Sequence, residues 1–460
     1  TEIVMYKTSK EGEVLKELFR RTFLGSETDE VRLYGLGGND AFVVTGNADK
    51  GVHIRAIGGV GSDRFVDHSG PSARRKSFLV YDVPFETEIQ LGPTMSIRLS
   101  DDPLVNRYDP YEYGYPDFMP SVFFGLNQDD GLFIGGGGTI TRYSFRRYPF
   151  DNKHSFRANL AARTGAFNVA YEGRFADRLN GWDIGVEASV RTPNNIRNFY
   201  GLGNESPNTN EDAEFYQARF SEAVASVRLI KPVGEFLEFY IGPKLERTNI
   251  KSDSTRFVGQ PQAGISLGSF GNQTFIGLES GFDVDARDSG VYPRQGFFWD
   301  NRFQFRHGWH ESSNDFVELS SNFTLYVTPV SQPRNTFAAR VGIRHNIGDF
   351  PFYRSSTLGG RHNLRGWRST RFAGRTAFYQ SFEIRTQLFR YSTLLAVGSA
   401  GALAFVDNGR VWTDGERSST WHQGYGVGFW ANLFDLSVFT ATLNFSKEET
   451  TVYIGLGLFY

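Results

Sequence analysis

Residues 297–306 read Phe-Phe-Trp-Asp-Asn-Arg-Phe-Gln-Phe-Arg. Phe297, Trp299, Phe303 and Phe305 fall on one side of an extended chain, and Asp300, Arg302, Gln304 and Arg306 fall on the other. Side chains alternate between the two faces of a strand, so the segment presents one aromatic surface and one charged surface. That pairing suits a wall with lipid outside and a polar lumen inside.

The same period of two recurs along the chain. Leu237, Phe239 and Ile241 alternate with Phe236, Glu238 and Tyr240, and Phe439, Ala441, Leu443 and Phe445 lie opposite Thr440, Thr442 and Asn444. Sixteen such runs can be counted, the first at 118–126 and the last at 451–460, an even number of the kind single-chain bacterial barrels prefer. The run 394–407 is apolar on both faces and is read as a strand closed by Asp407, whereas 256–268 is placed in a loop because Pro261 interrupts it. A soluble sheet this wide would split or pack on itself. The fold class is therefore all-β, a 16-stranded antiparallel transmembrane outer-membrane β-barrel with a small N-terminal periplasmic β-rich domain.

Connection lengths alternate as well. Leu179-Asn-Gly181, Lys231-Pro-Val-Gly234 and Asn432-Leu-Phe-Asp435 are short turns, while 194–212, 250–272, 347–375 and 408–421 are long. Short turns belong to the periplasmic end of such barrels and long loops to the outside. Eleven runs precede 347–375 and five follow it, which makes it the sixth extracellular loop.

Composition sets the remaining bounds. Aromatic residues make up 15% of the chain, 43 of them Phe, yet mean hydropathy is −0.37, as expected when Phe is interleaved with polar residues. No segment reaches the roughly 18 apolar residues of a membrane-spanning helix. A net charge of −2 gives no bulk electrostatic case for nucleic acid, and the absence of cysteine removes disulfides, thiolate metal sites and Cys nucleophiles.

Domains are expected at 1–100 (small and β-rich), 101–117 (an Asp-, Tyr- and Pro-rich linker) and 118–460 (barrel). Within 1–25, the spacing of Val14, Leu15, Leu18, Phe19 and Phe23 predicts an amphipathic helix. Short strands are expected at Val31–Tyr34, Ala41–Val44, Val52–Arg55 and Phe78–Tyr81. Gly37-Gly-Asn-Asp40 and Gly58-Gly-Val-Gly-Ser-Asp63 suggest calcium-binding β-roll repeats with Asp40 and Asp63 as oxygen ligands. They stand about 20 residues apart rather than adjacent, so two Gly-Asp turns are the preferred reading. His307 and His310 read as loop residues, and Asp283, Asp285 and Asp288 as turn charges. No Gly-x-Ser-x-Gly, His-Glu-x-x-His or phosphate-cradling loop occurs, so no enzyme activity, metal or cofactor is expected.

The strongest constellation lies in the sixth loop. Gly359-Gly-Arg-His-Asn-Leu364-Arg365-Gly366-Trp367 is Gly-rich and carries one arginine between an aliphatic and an aromatic residue. Glu383 shares a polar face with Tyr379, Ser381, Arg385 and Gln387, and Phe405-Val-Asp407-Asn-Gly409 follows downstream. A guanidinium folded into a lumen must find carboxylates, because an unpaired buried charge is very costly, and a bidentate fork meets that need.

At these residues the chain resembles the bacterial surface-antigen superfamily of outer-membrane assembly factors, the group of BamA, TamA and the two-partner secretion transporters. The resemblance covers 118–460. It implies a sixteen-stranded barrel whose sixth loop tucks inside and carries (Val/Ile)-Arg-Gly-(Phe/Tyr), the arginine meeting an Asp-x-Gly on the inner wall. Arg365 and Gly366 match, Leu364 and Trp367 occupy the flanking positions, Asp407 and Gly409 match the wall motif, and Glu383 corresponds to an acidic position on the neighbouring strand. Phe123-Phe-Gly125 with Asp129-Asp-Gly131, and Phe199-Tyr-Gly-Leu-Gly-Asn204, are further likenesses. The ending Thr451 to Tyr460, with Leu458 and Tyr460 on its apolar face, is similar to the C-terminal signal of outer-membrane barrels.

The function implied is insertion or secretion of polypeptides at the outer membrane. Its partners would be outer-membrane lipid, unfolded client polypeptides and accessory periplasmic or lipoprotein subunits. The first and last strands would close weakly and offer an edge for strand addition. The family's POTRA domains are not recognisable in 1–117. The alternative expectation is a barrel that anchors or translocates an N-terminal phosphoesterase- or patatin-like domain ahead of Thr1.

Overall fold

The computed structural model describes the chain apart from residues 10–11, 48–50, 71–75, 86, 102–105, 111–113, 148, 210–211, 310–314, 394–395 and 459–460. Tyr460 and His310 lie outside the described residues. The chain divides into two compact units, Thr1–Gly114 and Tyr115–Tyr460.

The first unit begins with an antiparallel hairpin, β1 (Glu2–Thr8) and β2 (Val14–Thr22), where a helix was expected. Ile3-Val-Met-Tyr6 is a run of strand-forming residues that supplies a partner for Val14–Thr22, and Arg20 bridges Glu2 and Glu17 across and along the ladder. A helix over 14–23 would have forgone the ladder and the Arg20–Glu2 bridge. Seven short strands follow: β3 (Glu30–Gly37), β4 (Ala41–Gly46), β5 (His53–Val60), β6 (Asp63–Ser69), β7 (Phe78–Asp82), β8 (Thr87–Gln90) and β9 (Met95–Leu99). They form two parallel sheets, β3-β5-β7-β9 and β4-β6-β8. Ile54, Ala56, Phe65, Phe78, Val80 and Met95 fill the core of this unit.

The register explains the two Gly-Asp motifs. Val31 pairs with Ile54 and Phe42 with Phe65, so one coil repeats the previous one 23 residues later. Val31-Arg-Leu-Tyr-Gly-Leu-Gly-Gly-Asn-Asp-Ala-Phe-Val and Ile54-Arg-Ala-Ile-Gly-Gly-Val-Gly-Ser-Asp-Arg-Phe-Val are thus successive turns of one spiral. Asp63 Oδ1 accepts the Asp40 amide at 2.8 Å, a link from coil to coil. Among the described residues no group of three or more His, Asp or Glu side chains is arranged to hold a metal ion.

The second unit is a closed barrel of sixteen antiparallel strands. Its first eight are β10 (Asp117–Asn127), β11 (Gly131–Arg142), β12 (Asn152–Ala161), β13 (Phe167–Phe175), β14 (Asp183–Asn198), β15 (Gln217–Val233), β16 (Leu237–Ile250) and β17 (Gly271–Asp285). They continue with β18 (Gly296–Trp309), β19 (Asp315–Val327) and β20 (Asn335–Gly348). Two short strands, β21 (Ser356–Leu358) and β22 (Phe372–Gly374), pair within the sixth loop. β23 (Thr376–Ser392), β24 (Val397–Trp412), β25 (His422–Leu433), β26 (Ser437–Phe445) and β27 (Thr450–Leu456) complete the circle. The predicted alternation holds: Phe303 and Phe305 are exposed on the outer wall, while Gln304 and Arg306 are buried inside.

Two predicted boundaries are wrong for definable reasons. The connection read as starting at 194 begins only after Asn198, because β14 runs on through a bulge at 192–194, which accommodates Pro193 without breaking the ladder. Asp407 does not close its strand, because Asn408 and Gly409 continue the ladder opposite Gln380 and Tyr379. Gly409 serves packing instead, since a Cβ there would sit 2.9 Å from Leu358 Cδ1.

Both ends of the lumen are filled. At the long-loop end, Phe199, Tyr200 and Tyr216 from loop 199–216, Phe257 and Val258 from loop 251–270, and Phe352 and Tyr353 from loop 349–375 form one aromatic cluster. At the short-turn end, Tyr292 from turn 286–295 stacks 4.8 Å from Trp430 of β25. It joins Leu403, Phe405 and Val438, which explains why the inner face of β24 is apolar at 403 and 405, ahead of Asp407. The carboxylates Asp283, Asp285 and Asp288 therefore flank a turn that folds inward rather than an ordinary surface turn.

Candidate functional site: the loop-to-wall contact

The sixth loop, 349–375, enters the lumen and is held by a buried charge cluster. Arg365 is 1% exposed. Its Nε and Nη2 donate to Asp407 Oδ2 and Oδ1 at 2.8 and 2.7 Å, its backbone N–H donates to Oδ2 at 2.9 Å, and its Nη1 donates to Glu383 Oε2 at 2.5 Å. Ser381 Oγ also donates to Asp407, and Arg385 Nε donates to Glu383 Oε1 at 2.7 Å. The guanidinium carbon lies 3.4 Å from the centre of the Phe405 ring. Charge, fork geometry and aromatic face are all satisfied, as a buried arginine requires.

Local sequence explains the placement. Ser381 pairs with Asp407, and Asp407 with Gly424, so one row across β23, β24 and β25 offers a hydroxyl, a carboxylate and a gap. Gly366 adopts φ +89°, where glycine costs least, and presses against the Phe445 carbonyl. Leu364 and Trp367 pack with Leu358, Phe372, Ala377, Tyr379 and Val411, and Trp367 Nε1 donates to the Gln423 carbonyl at 2.9 Å. The motif residues Leu364, Arg365, Gly366, Trp367, Glu383, Phe405, Asp407 and Gly409 are therefore gathered in one place. Leu458 packs instead against the Tyr292 cluster, which shares Phe405 with the motif, and Asp40 and Asp63 belong to the first unit.

The structure adds anchors that sequence reading missed. Arg354 meets Glu222 at 3.0 Å and Glu246 at 3.1 Å on β15 and β16. Arg368 reaches Asp129 and Glu449, Arg371 reaches Glu448, and Arg375 reaches Asp414. The signal was a loop carrying Arg354, Arg361, Arg365, Arg368, Arg371 and Arg375, each of which required a partner. Burial pushes the Asp129 carboxyl above its ordinary range although Arg368 pulls it down, and Glu449 behaves the same way. Burial, with Arg361 and Arg340 nearby, holds His362 below the usual imidazole range.

Loop 199–216 is tied to the same assembly through Asn204, which is fully buried. Its Nδ2 donates to Ser418 Oγ and the Thr420 carbonyl, its Oδ1 accepts the Val411 amide, and its backbone N–H donates to Glu416. Asn204→Ala would strand several of these groups, at about 1–3 kcal/mol for each buried group left unmet. Limited proteolysis should then cut 199–216 faster while Arg365 stays protected.

Residues 151–446 match the Omp85 superfamily domain. The chain belongs to the Omp85 superfamily. This Omp85 barrel is an outer-membrane protein, and its family serves insertion or secretion of polypeptides at that membrane. Among solved structures, BamA from Haemophilus ducreyi lacking POTRA domains 1–3 is similar in fold at 13% identity and a TM-score of 0.53, over 74% of this chain and 70% of that one. CdiB from Escherichia coli is similar at 13% identity and a TM-score of 0.49, over 75% of this chain and 63% of its own. No curated protein matches the chain.

Proposed function

We propose that this Omp85 barrel inserts or secretes polypeptides by opening between β10 and β27, with loop 349–375 as the internal strut that keeps the rest of the wall intact. The observation that carries this reading is the seam. Among the described residues β10 and β27 share one ladder pair, Leu126 with Ile454, whereas the next-shortest junction, β26 with β27, has seven. In lipid each unpaired backbone group costs several kcal/mol, so a nearly unpaired junction is where another strand is most readily accepted. A cavity of about 230 Å³, bordered by Leu126, Asp129, Arg361, Arg368, Tyr453 and Ile454, lies directly behind that pair.

A passive pore fits less well, because the aromatic cluster and the Tyr292 turn obstruct both mouths. The chain enters β10 from the short-turn end, which supports a periplasmic location for the residues ahead of Asp117. The partners are then outer-membrane lipid and client polypeptide, with accessory periplasmic or lipoprotein subunits.

The test is a reversible lock. The chain has no cysteine, so Leu126→Cys with Ile454→Cys forms the sole thiol pair. Oxidation should abolish client insertion or export in vesicles carrying the barrel, and reduction should restore it. Full activity in the locked state would reject the seam as the working part.

A further inference from the structure

β27 is held from inside the barrel by an arginine that does not belong to the Leu-Arg-Gly-Trp motif. Arg361 Nη2 donates to the Leu456 carbonyl at 2.8 Å and to the Gly457 carbonyl at 3.4 Å. Gly455 leaves room for this approach, since a Cβ there would lie 2.8 Å from Arg361 Nη1. Gly457 then turns the chain with φ +90°, its N–H donates to the Val438 carbonyl at 2.6 Å, and Leu458 settles against the Tyr292 cluster.

These contacts bear on the length of the seam. Successive carbonyls of a strand point to opposite neighbours, so one of any two in a row must face β10 if the ladder is to continue. Two residues further along, the antiparallel register from Leu126–Ile454 would bring Phe124 opposite Leu456. The carbonyl that this continuation needs, at 456, is instead engaged by a guanidinium from the lumen, which also reaches the 457 carbonyl where that accepts the Thr440 hydroxyl on the β26 side. The turn that carries it is rigid. Gly360 N–H donates to the Trp367 carbonyl at 2.9 Å, Asn363 bonds Gly359 and Thr357, and Arg340 holds the His362 carbonyl. Arg365, four residues on, fixes the same turn to β23 and β24.

We propose that Arg361 is a positioning residue that stops the β10–β27 ladder at one pair, so that the anchored sixth loop sets how far the seam is zipped. The inference rests on reading that seam as the working part of the barrel, but its test needs no client. Two thiol pairs are compared in purified, lipid-reconstituted barrel with a short bifunctional thiol reagent. Leu126→Cys/Ile454→Cys reports the existing pair, and Phe124→Cys/Leu456→Cys reports its continuation. With Arg361 present, the first pair should cross-link and the second only weakly. Arg361→Ala should raise the second several-fold and leave the first unchanged, and Arg361→Lys, which keeps a cation, should give a smaller rise.

An unchanged 124/456 yield in an Arg361→Ala barrel that still migrates as folded before heating would overturn the proposal. So would equal cross-linking of both pairs with Arg361 in place. If the alanine variant does not fold, Arg361→Gln, which retains a shorter amide donor, is read by the same criteria. A failed latch leaves the seam-lock experiment unaffected, and a failed seam lock leaves the cross-linking ratio interpretable.

Discussion

Asp407→Ala is expected to lower the unfolding free energy of the barrel by roughly 3–5 kcal/mol, the usual consequence of removing one partner from a buried charge pair. Asp407 accepts the Arg365 backbone amide, both arms of its guanidinium fork and the Ser381 hydroxyl. Without it, Arg365 shares the Glu383 carboxylate with Arg385, so two guanidinium groups would draw on one carboxylate inside the lumen. Arg365→Ala leaves the opposite defect, an Asp407 carboxylate that keeps the Ser381 hydroxyl and the residue-365 backbone amide but has lost its guanidinium. The double variant Arg365→Met/Asp407→Ala removes both charges and spares the Glu383–Arg385 pair, so it should be less damaged than either single. Urea unfolding in lipid vesicles and the temperature at which the folded gel band is lost both measure the order. If the three variants instead lose stability additively, Arg365 and Asp407 are not energetically coupled and the loop is held by other means.

Much of this assembly was legible from residue order because barrel strands obey one strict rule. Phe303 and Phe305 could not share a face with Gln304 and Arg306 in any strand, and that alternation survives whatever the loops do. The need of a lumenal guanidinium for carboxylates pointed to Asp407 and Glu383 for an equally local reason. What stayed hidden depends on distant parts of the chain. Nothing near Tyr292 indicates that it will meet Trp430, and only that meeting explains the apolar inner residues Leu403 and Phe405 of β24. Arg354 finds Glu222 and Glu246 across more than a hundred residues. The helix expected at 14–23 failed because helical spacing of Val14, Leu18 and Phe19 is equally compatible with a strand once Ile3–Tyr6 supplies a partner. The spiral of the first unit was present as a 23-residue repeat, Arg32 with Arg55 and Asp40 with Asp63. Reading its Gly-Asp turns as separate motifs concealed that period.

Gly424→Val is expected to expel the sixth loop while leaving every charge in place. Gly424 sits opposite Asp407 on β25, and a Cβ there would lie 1.8 Å from the Arg365 carbonyl oxygen and 3.0 Å from its carbon. Both are backbone atoms of a segment pinned on its other side, where Gly366 meets the Phe445 carbonyl, so no side-chain rotation relieves the clash. Overpacking of this kind costs about 1–3 kcal/mol where neighbours can yield, and more where they cannot. The Arg365 fork would have to release Asp407 for the loop to move away, which adds the cost of an uncompensated lumenal charge. Protease should then cut 359–367 in membranes where the unmodified barrel resists it. Gly428→Ala on the same strand, away from the loop, separates this effect from a general weakening of β25. If Gly424→Val keeps the loop protected, the fork dominates and the wall yields to it. If the loop is lost, the glycine opposite the aspartate is as much a part of the anchor as the aspartate, because the arginine can form its fork only where its own backbone lies flat against the wall.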